Sequence, residues 1–259
     1  MIDVRAKKHL GQHFLKDENI AAKIADSLSL ITENVLEIGP GTGVLTKYLI
    51  SKPFRSFKVV EIDRESIAFL KNNYPALGDN LIEGDFLRIQ LNRIFSEPYS
   101  IIGNFPYNIS SQIFFKALDD RDRVQEIVCM LQEEVARRIA TGPGSKTYGI
   151  LSVLLQTWYR VEYLFTVPPS VFVPPPKVTS AVIRLVRNDT KEINCDPKLY
   201  QQVIKTAFNQ RRKTLHNALK PLADYNGVYC QKRAEQLSIE QFIALTLEIE
   251  ALKKEKSAE

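Results

Sequence analysis

Short apolar segments alternate with amphipathic segments along this chain from about residue 18 to residue 158. Short apolar runs are typical of buried strands, whereas apolar residues spaced three or four positions apart are typical of helices. Strands that alternate with helices form parallel crossovers, so this order predicts an α/β fold with a mostly parallel, doubly wound, Rossmann-like sheet. The predicted strands lie at 35–38, 58–62, 81–82, 100–103 and 124–131.

The pattern changes near residue 159, where two further strand-like segments flank a proline-rich connection. The segments are Tyr159–Val167 and Lys177–Val186, and five prolines between them prevent a helix. Strands joined this closely are expected to lie antiparallel at one edge, which gives a predicted sheet of seven strands. After residue 188 the pattern is helical only. We therefore predict one domain at 1–187 and a small all-helical domain at 188–259.

A glycine-rich turn follows the first predicted strand, with glycines at Gly39, Gly41 and Gly43. Glycines let the backbone turn sharply and approach a ligand closely. A dinucleotide fingerprint would require a glycine where this chain has Val44, which argues against a nicotinamide cofactor. The turn also lacks the Lys or Arg that a phosphorylated ligand would favour. Glu61, at the end of the second strand, can accept hydrogen bonds from both hydroxyls of a ribose.

Asp85 and Phe86 follow the third predicted strand. A carboxylate at this position can accept a hydrogen bond from the amino group of adenine while the phenyl ring packs on the purine. Glu61, Asp85 and Phe86 lie at the ends of successive strands. Their order along the chain predicts a pocket for an adenosine that carries no phosphate. S-adenosylmethionine fits, because its positive sulfur suits acidic strand ends. Taken singly, each element is also explained as an ordinary strand-end residue.

The tetrapeptide Asn104-Phe105-Pro106-Tyr107 ends the fourth predicted strand. The side-chain oxygen of Asn104 and the carbonyl of Phe105 can each accept one N–H of the adenine amine. Tyr107 can stack on a base that has been turned out of its helix. Two acceptors would draw the amine toward tetrahedral geometry and free its lone pair for attack on a sulfonium methyl group. The alternative interpretation is a strand-end turn with a core tyrosine.

Positive charge points to a nucleic-acid partner. The net charge is +5, and nine of the 35 Lys and Arg residues lie in two clusters. Such clusters suit phosphate backbones, although two solvated basic faces would give the same pattern. The candidate RNA-binding residues are Arg5, Lys7, Lys8, Arg211, Arg212 and Lys213.

The cysteines predict a reducing compartment. Cys129, Cys195 and Cys230 are widely spaced and form no CxxC pair, which argues against a disulfide framework and against a metal site. No apolar run approaches the roughly 18–20 residues that cross a bilayer, and the first residues lack an apolar signal core. We expect a cytoplasmic protein without a membrane partner. Because no long apolar surface stripe is apparent, we expect a monomer.

Together these motifs resemble the KsgA/RsmA family of ribosomal RNA adenine dimethyltransferases from about residue 5 to residue 250. Asn104–Tyr107 resembles the family's NLPYN motif, with Phe105 where the family usually has Leu. Gly11–Leu15 resembles its GQNFL segment, with His13 in place of the usual Asn. The further matching blocks are Glu37–Gly43, Met130–Arg138, Tyr148–Ser152, Phe172–Ser180 and Phe208–Leu215.

The resemblance implies a class I methyltransferase domain at 1–187 and a helical RNA-binding domain at 188–259. It implies that the Gly11–Leu15 segment covers the cofactor, and that Phe172 lies on the second face of the target base. The expected cofactor contacts are Gln12, His13, Leu15, Gly39, Gly41, Glu61, Ile62, Asp85, Phe86 and Asn104. The implied reaction is N6,N6-dimethylation of two adjacent adenosines near the 3′ end of 16S (small-subunit) rRNA, with the immature 30S subunit as partner.

Three other functions remain open from sequence. The erythromycin-resistance 23S rRNA methyltransferases share the NxPYN motif and the proline-rich block, although Met130–Arg138 and Phe208–Leu215 favour the small-subunit branch. A ribosome assembly factor that acts mainly by binding would keep the same basic clusters. A nicotinamide dehydrogenase is disfavoured by Val44.

Overall fold

The computed structural model describes residues 4–258, and it contains two β-sheets and nine α-helices in that range. The strands are β1 Phe14–Leu15, β2 Asn34–Ile38, β3 Ser56–Glu61, β4 Leu81–Glu83, β5 Tyr99–Asn104, β6 Val124–Gln132, β7 Tyr159–Val167, β8 Phe172–Val173 and β9 Ser180–Arg187. The helices are α1 Glu18–Ala25, α2 Thr46–Leu49, α3 Arg64–Asn73, α4 Ser110–Asp119, α5 Glu133–Ala140, α6 Ile150–Trp158, α7 Pro197–Asn209, α8 Leu215–Ala218 and α9 Ile239–Ala258.

Seven strands form the main sheet in the order β4-β3-β2-β5-β6-β9-β7. The four pairs from β4 across to β6 are parallel, and β9 runs antiparallel to β6. The predicted mostly parallel, doubly wound sheet with an antiparallel edge is therefore confirmed. Its central strands are apolar on both faces, as strands covered by helices on both sides must be. Every residue of β2, for example, is buried.

The helices that cover the sheet begin where the sequence supplies a cap. The Asp17 carboxylate accepts hydrogen bonds from the backbone N–H groups of Asn19 and Ile20 at 3.0 Å, and α1 starts at the next residue. One face of α1, which includes Ile24, then packs into the same apolar cluster as Val35 of β2. Capping and apolar spacing thus fix both the start of this helix and the face that it buries.

The order of the strands reverses at β2. The chain passes from β2 to β3 on one side, and later returns to place β5 on the other side of β2. Helices leave toward opposite faces at such a point, so a crevice opens beyond the carboxyl ends of the two strands. Gly103 lets β5 approach closely there, because a Cβ atom at this residue would lie 2.5 Å from the carbonyl oxygen of Ile38.

A second, two-stranded sheet was not predicted. Strands β1 and β8 pair antiparallel, with Phe14 opposite Val173 and Leu15 opposite Phe172. Two residues are too few to show any period in a sequence, and the paired segments lie far apart along the chain. The pairing ties the amino-terminal segment to the proline-rich connection.

The described chain divides into two compact units. One contains the residues up to Ala136 together with Arg160–Arg187, and the other contains Arg137–Tyr159 together with the residues from Asn188 onward. The predicted boundary was a single point after residue 187, whereas the second unit also takes in α6. Within that unit, α6 is held to α7 by a hydrogen bond of 2.9 Å between the hydroxyls of Thr157 and Tyr200.

Across residues 4–258, no helix combines the length and the apolar composition that a membrane crossing requires. The same residues contain no cluster of three or more His, Cys, Asp or Glu side chains arranged to hold a metal ion.

We expect Gly103→Ala to lower the free energy of unfolding by about 1–3 kcal/mol, because the new methyl group would be forced against the backbone of β2. Thermal and urea unfolding measure the change. Gly142→Ala is the matched control, since nothing lies within 4 Å of a Cβ atom at Gly142. Equal stability of the two variants would contradict the proposed close approach of β5 to β2.

Candidate active site

A cavity of about 250 Å³ lies at the carboxyl ends of β2, β3, β4 and β5. This volume is close to the roughly 300 Å³ at the lower end of the range for small-molecule sites. The amino-terminal segment covers the cavity. The predicted cofactor contacts that line it are Gln12, His13, Gly39, Gly41, Glu61, Ile62, Asp85, Phe86 and Asn104.

The glycine loop after β2 is enclosed by aromatic rings. Gly41 and Gly43 have φ angles of 58° and 77°, which favour glycine. A Cβ atom would lie 2.8 Å from the Phe14 ring at Gly41 and 2.5 Å from the Tyr74 ring at Gly43. The Tyr74 hydroxyl also donates a hydrogen bond to the carbonyl of Gly43 at 3.1 Å. Neither Gly41 nor Gly43 can therefore carry a side chain, and the backbone of Gly39 and Gly41 is presented to the cavity.

The carboxylate of Glu61 links this loop to the end of β3. One oxygen accepts a hydrogen bond from the N–H of Gly41 at 3.0 Å, and the other accepts from Ile62 and Asp63 at 2.8 and 2.9 Å. Burial raises the pKa of Glu61, while these backbone donors oppose the rise. A carboxylate has about four acceptor positions and these three donors fill three of them, so Glu61 retains one position, on the oxygen bound by Gly41, for a ribose hydroxyl.

Asp85 and Phe86 form the wall of the cavity beyond β4. An Asp85 oxygen accepts a hydrogen bond from the N–H of Leu87 at 2.9 Å, which fixes the carboxylate within its turn. Phe86 is 4% exposed and lines the cavity. Half-exposed Ile62 offers an apolar surface to the same space. A purine with a hydrogen-bonding edge matches such a combination of apolar walls and one carboxylate.

The side chain of Asn104 has a defined orientation at the end of β5. Its amide nitrogen donates a hydrogen bond to the carbonyl of His13 at 3.0 Å. Because the nitrogen is used in this way, the amide oxygen is left to act as an acceptor. The Phe105 ring is buried against Phe114, with ring centres 5.8 Å apart, so Phe105 offers the cavity its backbone rather than its ring.

Tyr107 lies on the same loop, and its hydroxyl and its ring each contact a different residue. Its hydroxyl is 2.5 Å from the hydroxyl of Ser180, and its ring stacks on His13 with centres 5.4 Å apart. Burial raises the pKa of Tyr107, so the phenol stays protonated at neutral pH. These contacts favour a role for Tyr107 as a stacking surface rather than as an acid or base.

The amino-terminal strap, defined here as residues 5–15, is fastened over the cavity. The ammonium of Lys7 forms an ion pair with Asp63, whose side chain is 1% exposed, and another with Glu65 at 3.2 Å. The N–H of Lys7 donates to the side-chain oxygen of Gln12 at 2.8 Å. Farther along the strap, Nδ1 of His13 lies 2.8 Å from the carbonyl oxygen of Pro174. The strap is thus tied to β3 and to the proline-rich connection.

Two predicted contacts do not reach the cavity. Leu15 and Phe172 are 3% and 1% exposed, and both belong to the apolar cluster beneath the two-stranded sheet. In this structure the buried ring of Phe172 has no free face, so its stacking on a base stays a prediction. The cofactor contact of Leu15 also stays a prediction, because its side chain is buried in the same cluster.

The predicted RNA-binding residues divide by exposure. Lys8, Arg212, Lys213 and Arg5 are exposed. Lys7 is only partly exposed, and its ammonium forms the ion pairs that fasten the strap. In the second unit, Arg211 donates a hydrogen bond to the carbonyl of Ser145 at 3.0 Å and approaches Glu235 at 3.7 Å. Lys7 and Arg211 therefore make contacts within the fold. The positions of basic residues in the sequence could not show this.

Two aromatic residues around the site were not predicted, namely Phe14 in the cavity lining and Tyr74 outside it. Phe14 lies within the recognised Gly11–Leu15 segment, so that segment was the available signal. Tyr74, which encloses the glycine loop from outside the cavity, follows α3 in a stretch without any motif. Only the fold brings its ring to the loop.

The fully buried Glu37 lies just before the glycine loop and accepts a hydrogen bond from the Thr46 hydroxyl at 2.7 Å. Burial raises its pKa from 4.5 to about 8; the Thr46 hydroxyl opposes this shift, and the charge of Glu61 adds to it. Glu37 is therefore protonated in the folded chain at neutral pH.

Comparison with known proteins gives consistent matches over nearly the whole chain. The sequence model described as "Ribosomal RNA adenine dimethylase" matches residues 4–257. The chain is 56% identical to the ribosomal RNA small subunit methyltransferase A of Bacteroides thetaiotaomicron, with 98% of each sequence covered.

Solved structures resemble it as well. A dimethyladenosine transferase from Plasmodium falciparum has a TM-score of 0.77 and 27% identity, covering 93% of this chain and 98% of that one. The 23S rRNA methyltransferase ErmE has a TM-score of 0.67 and 26% identity, covering 92% of this chain and 99% of that one.

We expect Lys7→Met to weaken binding of S-adenosylhomocysteine by roughly tenfold, because the strap would lose its ion pair with buried Asp63. Isothermal titration calorimetry measures the affinity. Lys52→Met is the control, since it removes an ion pair with Asp26 away from the cavity. Unchanged affinity in Lys7→Met would show that the strap does not retain the ligand.

We expect the stability of Glu37→Gln, relative to the unchanged chain, to rise with pH between 5.5 and 7.5 by up to about 1.4 kcal/mol per pH unit. In the unchanged chain the pKa of Glu37 is higher in the folded state than in the unfolded state, so unfolding releases a proton between about pH 5.5 and 7.5. The free energy of unfolding of the unchanged chain therefore falls as pH rises. Glutamine cannot titrate and removes that dependence. Urea unfolding across the pH range tests this expectation, with exposed Glu33→Gln as control. Parallel pH profiles for Glu37→Gln and the unchanged chain would refute a protonated Glu37.

Proposed function

The chain belongs to the ribosomal RNA adenine dimethylase family, and on this premise we propose that it transfers methyl groups from S-adenosylmethionine to N6 of two adjacent adenosines near the 3′ end of 16S (small-subunit) rRNA. The observation that carries the proposal is the orientation of Asn104. Its amide oxygen is available as an acceptor within a cavity that also contains Glu61 and Asp85.

The residues that line the cavity suit an adenosine ligand. We infer that Glu61 accepts a hydrogen bond from a ribose hydroxyl and that Asp85 accepts one from the purine amine, while Ile62 and Phe86 pack on the faces of the purine. Gly39 and Gly41 offer backbone without side chains to the ligand. The bound donor supplies an electrophilic methyl group on a positively charged sulfur. Near it, the acidic strand ends favour positive charge.

The target base is positioned by the loop after β5. The amine of adenine is a poor nucleophile because its lone pair is delocalised into the ring. The Asn104 side-chain oxygen and the Phe105 carbonyl would accept its two N–H groups and favour a tetrahedral nitrogen. Tyr107 would stack on the base. The leaving thioether is neutral, so positioning supplies most of the catalysis and no strong base is required.

Sequence similarity favours the small subunit as substrate. The chain is 56% identical to a protein named for the small subunit and 26% identical to one named for 23S rRNA, with more than 90% coverage in both cases. A difference of this size between two relatives supports the first substrate over the second.

We infer that exposed basic residues contact the RNA backbone. Lys8, Arg212 and Lys213 are the residues predicted from sequence that have exposed side chains and no ion pair described for them, and Arg5 is exposed at the start of the strap. Phosphate contacts of this kind position the RNA while the cavity selects the base. We further infer an immature 30S subunit as partner, a monomeric enzyme and a cytoplasmic location, as the family relationship suggests.

We expect the purified chain and S-adenosylmethionine to convert adenosine to N6-methyl- and N6,N6-dimethyladenosine in small-subunit particles that lack these modifications. Nucleoside mass spectrometry detects both products. Large-subunit particles serve as the comparison substrate. The absence of both products from small-subunit rRNA, or their formation only in 23S rRNA, would overturn the proposal.

In the same assay, Asn104→Ala should lower kcat by roughly 10²–10³-fold, because it removes one acceptor of the amine. Its affinity for RNA should remain. Asn73→Ala is the matched control, since the Asn73 amide also donates to a backbone carbonyl, at 2.9 Å, but lies outside the cavity. Activity within a few-fold of normal in Asn104→Ala would assign the chemistry elsewhere.

A further inference from the structure

Lys116 on α4 has its charge directed into the fold. Its ammonium donates hydrogen bonds to the carbonyl oxygens of Leu87, at 3.0 Å, and Ile89. It also lies 5.3 Å from the centre of the Phe86 ring. Burial lowers the pKa of Lys116, although the nearby carboxylate of Asp85 opposes this shift. The ammonium of Lys116 therefore binds one part of the chain and is not simply a solvated surface charge.

That structure is the turn that follows β4. The Asp85 carbonyl accepts hydrogen bonds from the N–H groups of Arg88 and Ile89 at 2.9 and 3.1 Å, and the Asp85 side chain accepts one from Leu87. The carbonyls of Leu87 and Ile89 both face the ammonium. Two carbonyl dipoles that point toward one place repel each other unless a cation lies between them. Lys116 therefore holds the turn in the conformation that aims Asp85 and Phe86 at the cavity.

The same helix also supports the target-base loop. Phe114, two residues before Lys116, packs edge-to-face on the ring of Phe105. At the start of α4, the Ser110 hydroxyl donates to the carbonyl of Tyr107 at 3.4 Å. Thus α4 contacts both the loop that would hold the target adenine and the turn that would hold the purine of the donor.

We propose that Lys116 is a positioning residue that sets the selectivity of the donor pocket for an amino-purine, by holding the Asp85–Ile89 turn through the carbonyls of Leu87 and Ile89. The proposal rests on the proposed function, in which Asp85 accepts a hydrogen bond from the amine of the donor's adenine. Lys116 does not itself line the cavity, so it acts through the lining residues of this turn, Asp85 and Phe86.

Selectivity between two ligands tests this role. S-inosylhomocysteine has a carbonyl oxygen in place of the purine amine and an N–H at N1, so its 6-position can only accept a hydrogen bond and cannot donate one to Asp85. The unchanged chain should prefer S-adenosylhomocysteine by at least roughly tenfold in Kd, and in Lys116→Met this preference should fall below about threefold. A general loss of stability would weaken both ligands equally and leave the ratio unchanged.

The matched control is Lys23→Met, which removes another ammonium held over an aromatic ring, 3.9 Å from the centre of Phe165 and outside the cavity. It should keep the full preference. Lys116→Gln retains an amide donor for one carbonyl, so it should show an intermediate ratio and provides a measurement if Lys116→Met does not fold. An unchanged ratio in the folded Lys116 variants would overturn the inference. Failure of the unchanged chain to bind S-adenosylhomocysteine would overturn the proposed function as well.

Discussion

The site depends on the reversal of strand order at β2. With β3 on one side of this strand and β5 on the other, the carboxyl ends of the central strands surround one crevice. Glu61, Asp85 and Asn104 each follow or end a different strand, yet all line the same cavity. The absence of a side chain at Gly103 allows β5 to approach β2 closely enough for this arrangement.

Charge and hydrogen bonding then hold the cover of the crevice in place. The strap contacts the body of the first unit at Asp63, at Asn104 and at the carbonyl of Pro174. The Asn104 contact has two consequences. It fastens the strap through the carbonyl of His13, and it orients the Asn104 amide so that its oxygen is the acceptor. One hydrogen bond therefore both holds the cover of the cavity and orients the acceptor for the target amine.

Much of the fold could be predicted from sequence because parallel strands and amphipathic helices leave periodic patterns. Asp17 marked a helix start, and residues placed at strand ends, such as Glu61 and Asp85, could be expected to meet at one edge. Contacts between distant segments could not be predicted. The pairing of Leu15 with Phe172 takes both side chains into the core, and two-residue strands leave no periodic signal.

The sequence shows where the charged residues lie along the chain, but it does not show which residues they contact. Lys7 appeared as one member of a basic cluster, and only the fold shows that a buried carboxylate is its partner. The stacking of His13 on Tyr107 was likewise hidden, because the two residues lie far apart along the chain. Residue chemistry therefore identified the contents of the cavity, while tertiary packing decided which side chains reach it.

The central claim is that the donor binds in this crevice with its sulfur beside Asn104. A crystal structure of the chain with S-adenosylhomocysteine bound tests that claim most directly. The account predicts a ribose hydroxyl on Glu61, the purine between Ile62 and Phe86, and the sulfur next to the Asn104 side chain. A sulfur that faces away from Asn104, or a ligand seated outside the crevice, would contradict it.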